Sequence, residues 1–491
     1  MIRVLFASSE MSPFARTGGL GDVVGALPAA LSALGAEVSV VLPLYRSIDR
    51  QKFVLAPFGG TRRAPVAGRS MSFSLQKASL GPVSVYFVDR PEYFHRENYY
   101  GTTDSDYPDN AERFIFFSRA VLALASLLEP RPQVIHCHDW QSALVPVYSA
   151  MDREYKVRFK DSATVLTLHN LGYQGIFPRV EMQTAGLGPS LFTPAGLEFW
   201  GQMNFLKGGI VFADALTTVS RKYAEEIQTP ELGFGLDGVI RVCREKLTGI
   251  LNGVDYARWD PLSDPFLLST YGPGNLAGKA ACKRALQREL KLEVDPKIPL
   301  VGMVSRLVEQ KGIDLVTQHL SRLMSLKMQL AVLGLGAERY HERLRAFAAK
   351  HPGRFACHIG YQERLSHLIE AGSDFFLMPS RYEPCGLNQI YSLRYGTLPI
   401  VRATGGLEDT VIDLRDNPRR GNGFKFSAYT AEALRETVKL ALSTYRKGGK
   451  TWDRLIANAF KADFGWETSA RGYLEVYREA YRRKTGKELS A

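Results

Sequence analysis

Arg16-Thr17-Gly18-Gly19-Leu20-Gly21-Asp22-Val23 follows the apolar run Ile2 to Ala7 by a few positions and opens a helix-period pattern. Strand, glycine-rich turn and helix N-terminus in that order aim amide donors and the positive end of a helix dipole at one spot, a cradle for phosphate. Glycines there admit a ligand close to the backbone because no Cβ intervenes. The spacing is neither the dinucleotide fingerprint nor a Walker loop, so a plain tight turn is an equal alternative on this stretch alone. A second constellation adds weight. Ser305-Arg306 with Lys311-Gly312, then Gly334 and Gly336, Gly360-Tyr361, the run from Arg381 through Glu383 to Leu387, and Thr404-Gly405-Gly406-Leu407 combine basic side chains near helix starts with repeated glycine turns. Such a pocket suits a diphosphate.

Positioning these residues requires strands that end beside them. Short apolar runs at Val4–Ala7, Val38–Leu42, Val83–Val88, Val134–His138, Thr164–His169 and Ala215–Val219 alternate with helix-period stretches. The second half repeats the pattern at Leu300–Val304, Leu330–Leu333, Phe355–Ile359, Phe375–Met378 and Leu398–Val401. Continuous apolar runs of this length predict strands buried on both faces, in parallel sheets wrapped by helices. Eleven such strands exceed one eight-stranded barrel, and two doubly wound α/β domains account for them. The break falls near Asp255–Asp264, where Trp259-Asp260-Pro261 and Asp264-Pro265 interrupt the pattern. Pro28 inside the pattern of Leu20, Val24, Leu27 and Leu31 predicts a kinked or restarted helix. Tyr473, Val476, Tyr477, Ala480 and Tyr481 share one face of a terminal helix that must pack on something. Ligands of such sheets bind beyond the strand ends, which singles out His138-Asp139 and His169-Asn170 as well.

The 491 residues carry 62 Lys and Arg against 50 Asp and Glu, a net charge of +12 that is scattered along the chain. That argues against nucleic-acid binding and for acidic small molecules. Cys137, Cys243, Cys282, Cys357 and Cys385 are far apart and form no Cys-x-x-Cys pair, which fits a reduced, cytoplasmic setting. Met1 leads directly into a strand without a signal-peptide pattern, and no run reaches the ~18 apolar residues of a membrane span.

Several stretches fall in family order over essentially the whole chain: the glycine turn, His136-Cys137-His138-Asp139-Trp140, Leu168-His169-Asn170 with Tyr173-Gln174-Gly175, Asn252-Gly253-Val254-Asp255, Ser305-Arg306-Leu307 with Gln310-Lys311-Gly312, Pro379-Ser380-Arg381 with Glu383-Pro384-Cys385-Gly386-Leu387, and Gly405-Gly406-Leu407 with Asp409-Thr410-Val411. Together they resemble the bacterial glycogen synthases and plant starch synthases. The resemblance implies the GT-B arrangement of two facing Rossmann-like domains: 1–254 on the acceptor side, 255–464 on the nucleotide-sugar side, and 465–491 as a helix packing back across the domains. It implies transfer of glucose from ADP-glucose to an α-1,4-glucan such as glycogen, with retention at the anomeric carbon. Arg306 and Lys311 then match the diphosphate pair, helped by amides around Gly405, Gly406 and Leu407 beside Thr404, and by Arg16, Gly18, Gly19 and Asp22. Fixed cations of this kind would absorb the leaving-group charge with no metal or other cofactor. Asp139, His169 and Glu383 would grip the transferred glucose. Asn252, Cys385, Gly386 and Leu387 fall on the donor side, Tyr361 where adenine stacks, and Glu10 and Asn170 on the acceptor side. Tyr93, with Phe94, Tyr99 and Tyr100 in a polar loop, suits the apolar face of a sugar.

Structural alternatives exist for several of these. Asp139 could cap the helix beginning at Trp140, His169 could be a hydrogen-bonded strand end, Glu383 could pair with Arg381, and Tyr361 could be a core-edge aromatic. Arg16 replaces the family's usual lysine, which keeps charge but changes geometry. Gln141 stands where many members have histidine, and Tyr391 where broader relatives carry a second glutamate. Rival readings are a catalytically silent glucan-binding paralogue, suggested by Arg16, and a metal-dependent hydrolase using His136, His138 and His169. Asp104-Ser105-Asp106 resembles a metal-binding Asp-x-Asp but reads better as a solvated loop, with Asp109 capping the next helix.

Overall fold

The computed structural model describes residues 1–102 and 105–489; Asp104 lies outside the described residues. The chain forms two units, Met1–Val219 with Ala224–Gly253 and Trp466–Ala491, and Ser220–Tyr223 with Val254–Gly465.

The first unit is built on a nine-stranded sheet of β1 (Arg3–Ala7), β2 (Glu37–Pro43), β3 (Ala56–Val66), β4 (Arg69–Leu80), β5 (Val83–Asp89), β6 (Val134–His138), β7 (Ala163–Leu168), β11 (Ala215–Thr218) and β12 (Leu247–Gly249). Its order is β12-β11-β7-β6-β1-β2-β5-β4-β3, parallel from β12 to β5. Leu5, Phe6, Ala7 and every residue of β6 and β7 are buried, as strands covered on both faces demand. The hairpin β3–β4 continues the sheet antiparallel and has no apolar run to announce it. Only Ala64, Val66, Phe73, Leu75 and Ala78 of it are buried, and its register shifts between Phe58 and Arg62, where Gly59 and Gly60 both take positive φ. A separate antiparallel sheet joins β8 (Ile176–Phe177), β9 (Glu198–Phe199) and β10 (Gln202–Asn204) in the order β8-β10-β9.

The second unit holds β13 (Leu300–Val304), β14 (Gln329–Gly334), β15 (Phe355–Ile359), β16 (Phe375–Met378), β17 (Leu398–Arg402) and β18 (Phe424–Phe426), all parallel in the order β15-β14-β13-β16-β17-β18. This is the doubly wound dinucleotide-fold order. Val301, Met303, Leu330, Val332, Leu377 and Ile400 pack on one face, while Leu300, Ala331, Leu333, Phe376, Met378 and Val401 pack on the other. Successive residues thus feed two cores, the period of two expected of a strand.

The helix Gly19–Ala33 runs through Pro28 as one element, so of the expected kink or restart the restart does not occur. The helix Trp466–Thr485 belongs to the first unit, with Tyr473, Val476, Tyr477, Ala480 and Tyr481 all buried. The chain passes between units at Gly253–Val254 and again at Gly465–Trp466.

Candidate active site

In the first unit the chemistry gathers beyond β1, β6 and β7. Strand β1 lies between β2 and β6, so the chain leaves it in opposite directions and opens a crevice there. Gly18 is extended and precedes the helix that starts at Gly19. A Cβ on Gly18 or Gly19 would meet nothing within 4 Å, whereas one on Gly21 would crowd Ala15 and Arg16, and one on Gly25 would crowd Ser12. Packing therefore requires glycine at Gly25 and crowds Gly21, but leaves room at Gly18 and Gly19, whose backbone stays open to a ligand. Arg16 and Asp22 form a two-point ion pair, Nε to Oδ1 at 2.7 Å and Nη2 to Oδ2 at 3.0 Å, across the mouth of that turn.

Glu10 is 3% exposed and fixes the turn from below. Its carboxylate accepts from the Thr17 amide at 2.5 Å, the Thr17 hydroxyl at 2.6 Å and the Tyr100 hydroxyl at 2.7 Å. Tyr93, expected as a sugar platform, is instead a core residue: it is 6% exposed and its hydroxyl donates to Glu112. Phe94 is fully buried too, so of the four aromatics only Tyr99 and Tyr100 reach partial exposure.

Asp139 holds φ 54°, a left-handed conformation that a side chain adopts only under constraint. Its Oδ1 accepts from the His169 amide at 2.7 Å, and the Asn170 amide also bonds the carboxylate. The group ties down the end of β7 rather than capping its own short helix. Burial pushes its carboxyl up to about 7, against the pull of those two amides, and the Glu10 charge adds a smaller push.

Three buried histidines lie on and beside the ends of β6 and β7. His136 Nδ1 meets the Tyr477 hydroxyl at 2.8 Å and its Nε2 meets the Thr167 hydroxyl at 2.6 Å. His138 Nδ1 meets His169 Nε2 at 2.9 Å, and His138 Nε2 is buried without a partner. An orphaned acceptor is tolerated better than an orphaned N–H donor. His138 accordingly carries its proton on Nδ1 and donates to His169, which leaves His169 protonated on Nδ1. Burial holds all three well below the ordinary imidazole range, His169 at about 3, so they are neutral near pH 7.

In the second unit the corresponding crevice lies beyond β13 and β16, neighbours in the sheet. Lys311 Nζ binds Glu383 Oε2 at 2.6 Å, and the Ser380 hydroxyl donates to the same oxygen at 3.1 Å. Glu383 is thus partnered by Lys311 and not by Arg381, whose guanidinium lies near Asp314 and over the Tyr429 ring. Gly312, at φ 73°, lets the turn after Lys311 press against Pro379, whose carbonyl a Cβ would overlap. Gly405, at φ 44°, and Gly406 similarly abut the carbonyls of Glu383 and Cys385. One expectation is corrected here. The Gly406 amide donates to the Glu383 carbonyl at 3.1 Å and the Leu407 amide to Thr404 at 3.1 Å, so these two are committed inside the turn rather than offered to an anion. Thr404 and Cys385 are buried, Gly386 takes φ 72°, and Leu387 precedes the helix Asn388–Arg394. Arg306 is exposed at the end of β13, with Gln310 Oε1 3.3 Å from its Nη2. Tyr361, 71% exposed beyond β15, is not a core-edge aromatic.

Residues 3–242 match the starch synthase catalytic domain, and residues 287–462 match glycosyl transferases group 1. A glycogen synthase of Geotalea daltonii is 45% identical over 97% of this chain and 98% of its own, and one of Koribacter versatilis is 47% identical over 98% of each. This chain belongs to the glycogen and starch synthase family. The catalytic domain of starch synthase IV from Arabidopsis thaliana, bound to ADP and acarbose, shares 34% identity and a TM-score of 0.89 over 98% of this chain and 99% of that one. A sucrose-phosphate synthase from Thermosynechococcus elongatus, at 18% identity and TM-score 0.59 over 97% and 98%, shares the GT-B fold.

As a member of the glycogen and starch synthase family, the chain is a glucosyltransferase built on two Rossmann-like domains. The hydrolase alternative fails on geometry, because His136 has both ring nitrogens engaged and His138 and His169 bond each other instead of converging on one point. Asn252 is buried in the first unit with its side-chain oxygen unpartnered. Asn170 turns the chain after β7, its Oδ1 accepting from the Gly172 amide at 3.0 Å. The sequence offers Thr17, Tyr100, Ser380 and Tyr477 but not what they hold: Thr17 and Tyr100 bond Glu10, Ser380 bonds Glu383, and Tyr477 meets His136. No helix among the described residues is long and apolar enough to cross a membrane.

Proposed function

We propose that this protein transfers glucose from ADP-glucose to the non-reducing end of an α-1,4-glucan, with retention of configuration and release of ADP. The observation that carries this reading is the Lys311–Glu383 pair beyond β13 and β16, with Arg306 at the same strand end. Cleaving the bond between glucose and diphosphate builds negative charge on the leaving phosphate, and preorganised cations stabilise it best. Lys311 and Arg306 supply that charge from the protein, so the proposal includes no metal. Glu383, held by Lys311 and Ser380, is left to orient a sugar hydroxyl. Tyr361 offers an open ring for the base, and ADP rather than UDP follows the family and the ADP-bound starch synthase relative.

From the first unit, neutral His169 presents an N–H donor to a hydroxyl of the transferred glucose while Asp139 accepts from another. Gly18 and Gly19 let backbone approach the donor phosphates. The Arg16–Asp22 pair must exchange partners for Arg16 to contribute.

Release of nucleoside diphosphate, followed from ADP-glucose and from UDP-glucose, with and without glycogen and with EDTA present, tests the donor, the need for a glucan acceptor and the metal-free chemistry. The expected result is glycogen-dependent ADP release that persists in EDTA. Loss of activity in EDTA removes the metal-free mechanism, preference for UDP-glucose removes the donor assignment, and glycogen binding without any release identifies a silent glucan-binding paralogue.

A further inference from the structure

Resting on the proposed role of Arg306 at the donor diphosphate, we infer that His341 is a positioning residue of the donor side: one unprotonated ring nitrogen holds the turn that aligns Arg306, and protonation of that nitrogen lets the turn go. His341 lies near the start of the helix Glu338–Lys350 and is 4% exposed. Its Nε2 accepts from the Gly336 amide at 3.0 Å, and its Nδ1 lies 2.9 Å from Glu338 Oε2. A backbone amide donates and never accepts, so Nε2 carries no proton; Nδ1 carries the single one and donates it to the carboxylate. Only this neutral tautomer satisfies both neighbours.

From Gly336 the path to Arg306 is short. Gly336 stands in the turn after β14, and a Cβ on it would lie 2.2 Å from the Leu307 carbonyl oxygen, so the turn presses on the residue that follows Arg306. Backbone bonds lock that contact. The Leu307 amide donates to the Leu335 carbonyl at 2.8 Å, the Ala337 amide to Leu307 at 3.1 Å, and the Ser305 amide to Leu333 at 3.1 Å. Arg306 is thus bracketed by two residues paired with β14 and its turn. Its guanidinium is exposed, with Gln310 Oε1 3.3 Å away, so its place is set chiefly from the backbone.

A second proton on the ring goes to Nε2 and turns an acceptor into a donor that faces another donor. The Gly336 bond then breaks, because two N–H groups cannot share it. Glu338 pulls the other way, since a carboxylate beside an imidazole favours the charged ring. Opposed partners on the two nitrogens give the ring two states that differ in whether the turn is held. The other charged groups around it are engaged elsewhere. On its own helix, Arg345 Nη1 lies 3.3 Å from Glu338 Oε1 and Arg339 pairs with Glu309 at 2.6 Å. The elements packed most closely on this helix are β15, which brings Cys357 and His358, and the helix Ile313–Gln318, which brings Asp314. Burial pushes the Cys357 thiol up, so it stays neutral, and Asp314 accepts from the Tyr429 hydroxyl at 2.6 Å and lies 3.5 Å from Arg381. Glu338 is therefore the charge that acts on the ring directly, and acid weakens the grip on the donor by releasing Gly336.

His341→Gln and His341→Asn separate the two contacts. Glutamine places an oxygen near the position of Nε2, which accepts from Gly336 and does not titrate, whereas asparagine reaches only as far as Nδ1 and leaves the Gly336 amide without its acceptor. KM for ADP-glucose is measured for wild type and both variants between about pH 7.5 and 5.5, within the range where imidazoles charge, with circular dichroism confirming folded protein throughout. Over that interval KM should rise about two- to tenfold more in wild type than in His341→Gln, the worth of one net hydrogen bond. His341→Asn should show the raised KM already at the upper end. All three meet the same nucleotide at the same pH, so the ratios report the side chain alone. A His341→Gln profile that follows wild type overturns the switch, and a His341→Asn KM equal to that of wild type at the upper end overturns the positioning role. If no variant and no wild type consumes ADP-glucose, the proposed function fails, and the Gly336 amide resonance decides the switch: it should move with acid in wild type and stay in place in His341→Gln, and equal behaviour in the two overturns it.

Discussion

At the scale of single residues, the pairing of Lys311 with Glu383 separates fold from turnover. Lys311→Ala is expected to lower kcat by roughly a hundred- to a thousandfold, the loss typical of one transition-state donor. It also strands a buried carboxylate, a change that typically costs about 3–5 kcal/mol of stability. Lys311→Ala combined with Glu383→Gln should recover most of that stability without recovering turnover, as urea unfolding and ADP release would register. His138 acts on substrate only through His169. His138→Asn keeps an N–H close to the place of Nδ1 and should retain much of the activity, whereas His138→Leu should cut kcat at least about tenfold by freeing the His169 tautomer. Asp139 gives a pH signature. Its carboxyl rises from 3.8 to about 7 on folding, so its contribution to stability is full below about 4 and is lost as pH climbs through about 7. Asp139→Asn should flatten the fall of the urea midpoint between pH 4 and 8 while impairing turnover. The sequence made Lys311, Glu383, Asp139 and His169 legible because each follows a strand end. Tyr93 misled because its polar neighbours Arg96, Glu97 and Asn98 say nothing of where its own ring points.

At the scale of elements, the strands covered on both faces were legible and the others were not. A run such as Phe375–Met378 can only be a buried segment, and its bounds coincide with the observed strand. The β3–β4 hairpin mixes arginines, glycines and prolines on an open face, and its pairing partners, not its composition, make it a sheet. Helix Gly19–Ala33 continues through Pro28, which is buried within it. Glycine turns in the second unit are legible as turns, but whether they offer amides or demand close contact depends on what lies opposite. Gly405→Ala discriminates between these roles. A methyl there overlaps the Glu383 carbonyl and strains a positive φ, so the variant should lose about 2–4 kcal/mol of stability and displace Glu383. Thermal unfolding together with the KM for ADP-glucose would detect both effects.

At the scale of the whole molecule, the last helix completes the first unit. Tyr477→Phe removes the hydroxyl that satisfies His136 and should cost about 1–2 kcal/mol. Truncation after Gly465 removes Tyr473, Tyr477 and their buried neighbours together, and is expected to leave residues 1–253 without a cooperative unfolding transition, as circular dichroism in urea would show. The sequence indicated that this helix had an apolar face; it could not indicate that the face serves residues more than three hundred positions upstream, because that is a property of chain path. Synthesis inherits the same path. At about 5–20 residues per second, roughly ten to forty seconds of translation separate the emergence of Val254 from that of Gly465. Throughout that interval the surface that the last helix covers, on the helix Gly19–Ala33 and β7, stands bare, so the part of the protein begun first on the ribosome is the part finished last.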